Sequence, residues 1–246
     1  MPAPVNKDNI VSGAGRLYQC EEESVASIAS ATNDIVLSAV PDSTPQAGDY
    51  IFLDGIDKYA DVGIYTVSAW GAGTKTITIN ESIANNQATT GGKVLFMSRG
   101  GTSLGGTDDG TEISSNKDFH DSEAAEAPVT LKKTLTKYTG NVNFALKETT
   151  LDNLLLAIGH GEVDSGTYTV AVPSDGAVTE IGIRLEAPGP SGVTTRKYMI
   201  PRLVSVGDSA HRYTKAGDTM FAVDGEMLSI WDDSNKEWVF FKVKDE

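Results

Sequence analysis

Short alternating segments, each cut off by a cluster of Gly, Pro, Asn or Asp, recur along most of this chain, and that rhythm points to a mainly β fold. TKTITIN, residues 74–80, is the cleanest case: Ile77 and Ile79 face one side of a strand, Thr76 and Thr78 the other. Between Ser24 and Ser98 the same signal predicts strands at Asp34–Val40, Asp49–Leu53, Gly63–Ala69, Thr74–Ile79 and Lys93–Met97. Turn-rich pieces such as PDSTPQAG, DGIDKYADVG, WGAGTK and ANNQATTGG separate them. Five short strands in so compact a stretch make a small barrel or sandwich able to fold independently.

A chain of 246 residues is long enough for one large β domain or two smaller ones with a self-sufficient core. Its formal net charge of −14 argues against a surface that grips phosphates, because neutralising a nucleic-acid backbone takes Lys and Arg. It does not exclude DNA as something to be repelled. Cys20 stands alone, which leaves no intrachain disulfide and no cysteine metal cluster; it reads as a small buried hydrophobe. The opening MPAPVNKDNIVSGAG lacks the apolar centre of a signal peptide, and no run reaches the length of a membrane span. The sequence therefore predicts a soluble protein.

After Arg99 the texture changes. Residues 100–127 (GGTSLGGTDDGTEISSNKDFHDSEAAEA) are polar with little to bury, and predict a long loop that orders on contact with a partner. Pro128–Tyr138 and Asn141–Lys147 then read as a hairpin turning at Thr139–Gly140, with Val142, Phe144 and Leu146 on one face. One short helix follows. Thr149 or Thr150 supplies its N-cap, Asp152 places negative charge in the first turn, and Gly159 or Gly161 takes the left-handed C-cap. Leu151, Leu154, Leu155 and Ile158 form an apolar stripe expected to pack on a sheet. Further strands are predicted at Gly166–Val172, Val178–Glu186, Arg196–Val206, Thr219–Ser229 and Glu237–Val243, with EAPGPSGVT and DDSNKE as hairpin loops.

No constellation for catalysis emerges. His120, His160 and His211 are far apart in sequence and lack a second ligand at metal spacing. The carboxylate clusters Glu21–Glu23, Asp54–Asp61, Asp108–Asp109 and Asp232–Asp233 do not fit a calcium loop. Neither a nucleophile elbow G-x-S-x-G nor a phosphate loop occurs. Trp70, Trp231 and Trp238 suit strand and turn packing, or the face of a sugar-binding site. The chain is expected to be no enzyme and to carry no metal or cofactor.

The order of GAGRLY, LGGTDDGTEIS with its acidic continuation, a strand hairpin, ALKETTLDNLLLAIG, EIGIRLEAPGPSG, RKYMIPR and a closing strand pair resembles the major tail tube proteins of long, non-contractile-tailed phages. The resemblance implies a β-sandwich or barrel tail-tube domain with one flanking helix, formed by residues 1–23 and 99–246. Residues 24–98 depart from the minimal pattern and are expected to be an inserted small β-barrel or sandwich on the tube exterior. It further implies hexameric rings that stack into a tube, through which genomic DNA passes without specific binding. The partners implied are the tape measure, terminator and distal tail proteins. The location implied is the virion tail, after synthesis in the host cytoplasm and with no membrane insertion of the subunit.

Within that picture Leu104, Thr107, Asp108, Asp109, Ile113 and Phe119 are candidate contacts between subunits or rings, and Glu180 and Glu186 candidate lumen-facing carboxylates. Two alternatives stand beside it. One is a β-sandwich carbohydrate-binding or adhesion module; the other is a tube subunit of a contractile or secretion-type injection machine.

Overall fold

A computed structural model describes residues 15–56, 61–85, 87–88, 92–124, 127–148, 150–159, 162–164, 166–170, 178–190, 193–207, 220–232 and 235–246. Strands dominate, and the described residues contain one α-helix, Leu151–Ile158. The chain divides into two units: Met1–Thr107, Glu180–Leu203 and Ser229–Glu246 in the first, Asp108–Thr179 and Val204–Leu228 in the second.

The first unit contains a closed barrel. Gly63–Gly71, Tyr50–Asp54, Lys93–Phe96, Glu21–Ala29, Asp34–Leu37 and Thr76–Ile79 are hydrogen-bonded in that order, and Thr76–Ile79 pairs back onto Gly63–Gly71. Register shifts at Val25/Ser27 and Val67/Ala69 supply the bends that closure needs. Alternation sends Ile35, Leu37, Ile51, Leu53, Tyr65, Val67, Ile77, Ile79, Val94 and Phe96 into one common core. Five of these six strands lie within three residues of the predicted ones, Glu21–Ala29 being an addition, and Ile77 and Ile79 are buried together as TKTITIN requires.

The barrel is not set off at Ser24 and Ser98, the boundaries expected for an inserted domain. Its strand Glu21–Ala29 runs across the first of them. On the outer face, Phe52, Ile64 and Leu95 need cover of their own, and they share a second core cluster with Cys20, Met97, Met199 and Ile230. Strand Ile230–Asp232 also lies parallel to Gly63–Gly71, with Asp232 opposite Ile64. Two-sided burial explains why YIFLD and KVLF are near-continuous apolar runs instead of alternating ones. Residues 24–98 therefore share their unit with segments from much later in the chain.

Arg16–Gln19 lies between Glu180–Pro188 and Thr102–Ser103 in the same unit. Ile230–Asp232 and Glu237–Val239 form the hairpin expected around DDSNKE, with Trp231 opposite Trp238. Asp232, fully buried, is held by Lys242 at 2.9 Å, and the Lys242 ammonium also sits 4.4 Å above the Tyr50 ring.

In the second unit, Thr107–Ala124 pairs with Ala127–Leu146, whose last residues pair with Phe221–Met227 from Gly140↔Met227 to Leu146↔Phe221. Val142, Phe144, Leu146, Phe221, Val223 and Met227 are buried there. Two expectations change. Thr139–Gly140 is no turn, because the strand runs straight through it and Gly140 is buried opposite Met227, a place for a missing side chain. Residues 107–124 are strand and not loop. Their polarity reports exposure, whereas their backbone is held by a neighbouring strand.

Gly101 shows how tightly the first unit is closed where the barrel leads into Thr102–Ser103. Its φ of +86° is left-handed, and a Cβ there would stand 2.1 Å from the Gln19 carbonyl oxygen. Gly48, at φ +87°, has open space around it. Gly101→Ala is expected to lose at least ~2 kcal/mol of stability and Gly48→Ala ~1 kcal/mol, read from urea midpoints. Equal losses would show that the Gln19 approach does not constrain the fold.

Candidate functional site

The second unit holds a feature that its other described strands do not complete. Beyond the Gly140–Leu146 stretch that pairs with Phe221–Met227, residues 127–139 have only Thr107–Ala124 beside them among the described strands. The result is a two-stranded arm. Residues 127–139 at about 3.3 Å per residue span ~40 Å. Its described side chains are exposed from Ser115 to His120 and from Lys133 to Tyr138, with Phe119 at 52 %, Leu135 at 49 % and Tyr138 at 44 %. Cross-strand contacts exist: the Thr136 hydroxyl donates to the Asp118 carbonyl at 3.0 Å, and the Lys117 ammonium lies 5.1 Å from the Tyr138 ring centre. A ribbon of two strands whose described side chains are mostly exposed is at best marginally stable in water.

The expected contact residues fall unevenly on this arm. Phe119 is on its exposed part, Ile113 and Thr107 are half-buried, and Asp108 and Asp109 lie on the same strand near its start. Leu104 does not belong with them. It is 2 % exposed, and its N–H donates to the Leu17 carbonyl at 2.9 Å, so the first unit's own packing absorbs it.

The helix is capped as its sequence predicts. Thr150 Oγ1 accepts from Asn153 N–H at 3.2 Å, and Gly159 at φ +81° returns its N–H to the Leu155 carbonyl at 2.8 Å. Its buried side differs from the expected stripe. Asn153, Leu156 and Ala157 are buried, while Leu151, Leu154, Leu155 and Ile158 are each half-buried. At about 100° per residue the two groups lie on opposite sides of the helix. The inner side is fixed by polar anchors a periodicity argument cannot see: the Ser205 hydroxyl donates to the Ala157 carbonyl at 3.0 Å, and Asn153 Nδ2 donates to the Glu148 carbonyl at 2.8 Å. The leucine stripe is left half covered.

The two carboxylates expected to face a lumen are both engaged. Arg202 donates to both oxygens of Glu180, at 2.5 and 2.7 Å. Arg184 donates to Glu186 at 2.9 Å while its guanidinium lies 4.6 Å from the Tyr18 ring centre and donates to the Gly100 carbonyl. Each carboxylate is neutralised by its own arginine, which makes both poor sources of wall charge.

The described residues offer little chemistry. Burial pushes the Cys20 thiol up to about 12, against a lowering pull from Arg184, so it stays protonated and unreactive at neutral pH. Glu23 is held above the ordinary carboxylate range by loss of water, then by Glu21 and Asp42. Among the described residues no three His, Cys, Asp or Glu side chains come together as a metal set. His120 is exposed on the arm; His160 and His211 lie outside the described residues. Trp70 packs against the barrel core, whereas Trp238 is 63 % exposed and braced edge-on by Trp231, ring centres 5.6 Å apart. No helix among the described residues is long and apolar enough to cross a membrane.

No family model matches the chain, and a comparison with curated proteins gives no match either.

The helix orientation has a direct check. Leu156→Ala is expected to cost ~2–5 kcal/mol by leaving a cavity in the second unit, and Leu155→Ala about 1 kcal/mol. Thermal unfolding of the two variants compares them. The reverse order would mean that the leucine stripe faces the core.

Proposed function

We propose that the chain is a structural subunit of a phage tail tube, assembling as hexameric rings that stack into a conduit for DNA. The observation that carries this reading is the arm: about 40 Å of two-stranded ribbon with exposed Phe119, Leu135 and Tyr138 and with outer edges that no other described strand pairs. Such a ribbon gains its missing hydrogen bonds and apolar cover from neighbouring copies. The half-covered stripe Leu151, Leu154, Leu155 and Ile158 is a second unfinished surface of the same unit. The order of sequence motifs that resembles major tail tube proteins supports the same reading.

Heterologous contacts of this kind close into a ring when the rotation closes, and stacking then leaves an open axis. Six copies of a chain at −14 give such a conduit a strongly negative character, so that passing phosphates are held off its wall by like-charge repulsion. Glu180 and Glu186 contribute little to that wall, since each is paired. The barrel Glu21–Phe96 belongs outside the tube in this proposal, because a body of that size would crowd a bore. Tape measure, terminator and distal tail proteins are the companions proposed for it in the virion.

The exposed Trp238, backed by Trp231, favours one second reading, a carbohydrate-binding module whose sugar stacks on the indole. Trp238→Ala would abolish glycan retention in that case and leave particle assembly untouched.

Negative-stain electron microscopy of the concentrated protein tests the tube directly. Rings or tubes of uniform diameter are expected. A chain that stays monomeric at every concentration, with or without tail initiation proteins, would remove the proposal.

A further inference from the structure

The arm is charge-segregated by strand. Thr107–Ala124 carries Asp108, Asp109, Glu112, Asp118, Asp121 and Glu123 against a single Lys117. Ala127–Leu146 carries Lys132, Lys133 and Lys137 and no carboxylate. Thr107–Ala124 is also the terminal strand of its sheet, so its far edge has no neighbour among the described strands. Among the described strands the far edge of residues 127–139 likewise has no neighbour, because pairing with Phe221–Met227 begins only at Gly140. One arm therefore presents an acidic edge on one side and a basic edge on the other.

We infer that the partner of this arm is the arm of a second copy, the acidic strand Thr107–Ala124 of one pairing edge to edge with the basic stretch 127–139 of the next. The inference rests on the assembly reading above and names the contact within it. Strand addition supplies backbone hydrogen bonds to both open edges, and opposite charge selects the correct edge. Two acidic edges or two basic edges repel, so the pairing is head-to-tail and every copy has one edge to give and one to accept. The antiparallel sense inside one arm is kept across the new contact when arms point the same way. Glu112 and Asp118 on one strand and Lys133 and Lys137 on the other are exposed, as side chains at such a contact must be before it forms.

Acid and base strands also attract inside one arm, and the experiment separates the two effects. One variant, Lys132→Glu with Lys133→Glu and Lys137→Glu, turns the three positive charges of residues 127–139 into three negative ones, so both edges are acidic. Another, Asp109→Lys with Glu112→Lys, Asp118→Lys and Asp121→Lys, takes Thr107–Ala124 from a formal −5 to +3, so both are basic. Light scattering and sedimentation of the full chain are the readouts. Each variant alone is expected to need about tenfold or more protein to assemble. An equimolar mixture is expected to regain assembly, because acidic arms then alternate with basic ones. Wild-type assembly should weaken as salt shortens the screening length from ~8 Å at 0.15 M to ~3 Å at 1 M.

Wild-type assembly with both variants assembling normally would overturn the arm contact and leave the tube intact. Failure of both variants without recovery on mixing would overturn it too, since that pattern belongs to charge pairing within one arm. Absence of assembly by the unaltered chain under all conditions would overturn both proposals.

Discussion

Every backbone N–H and C=O of a strand needs a partner, and where neighbouring strands supply it decides what each part of this protein can be. In the barrel Glu21–Phe96 the requirement is met internally, because Thr76–Ile79 returns to Gly63–Gly71 and leaves no edge within the ring of six strands. In the arm, among the described strands, it is met on one side only of residues 107–124 and 127–139. Water satisfies the open groups of a single chain, but without apolar burial it adds nothing to hold the ribbon straight. The same constraint thus yields a closed body in one unit and an unfinished one in the other.

Apolar pattern follows from that difference. Tyr50–Asp54 and Lys93–Phe96 are buried on both faces, by the barrel interior and by the cluster of Cys20, Met97, Met199 and Ile230, and their sequences carry little polar alternation. Residues 115–120 and 133–138 are exposed, and theirs are almost wholly polar. Phe119, Leu135 and Tyr138 break that rule. Exposed apolar residues on an otherwise solvated ribbon are what a contact surface needs, and they sit between charges that specify which edge meets which.

The barrel strands were legible in the sequence because burial writes itself into composition: Ile77, Ile79, Ile51, Leu53 and Val94 stand where a period of two requires. The helix caps were legible for a similar reason, since Thr150 and Gly159 are there for their backbone chemistry. The arm was legible in part: Pro128–Tyr138 reads as strand, whereas the exposed, polar residues 115–120 show no alternation and their segment reads as loop. Thr139–Gly140 resembles a turn, while Gly140 serves as the small residue opposite Met227. The buried face of the helix was misread because Asn153 is polar and Ala157 small, so the four-residue leucine and isoleucine stripe dominates the pattern, yet hydrogen bonds to Glu148 and from Ser205 fix the Asn153 face inward. Glu180 and Glu186 looked free because their arginines, Arg202 and Arg184, become neighbours only across and along folded strands. The segregation of acid and base between the two arm strands was visible residue by residue. It acquired a meaning only once both segments were strands of one ribbon.

Hydrogen exchange resolved along the arm, in dilute chains and in assembled particles, tests most directly whether that ribbon is completed by another copy. The account predicts fast exchange for the amides of residues 110–120 and 133–138 in dilute protein, and strong slowing upon assembly, with the barrel amides protected in both states. Full protection of the arm in the isolated chain, or no change when particles form, would contradict it.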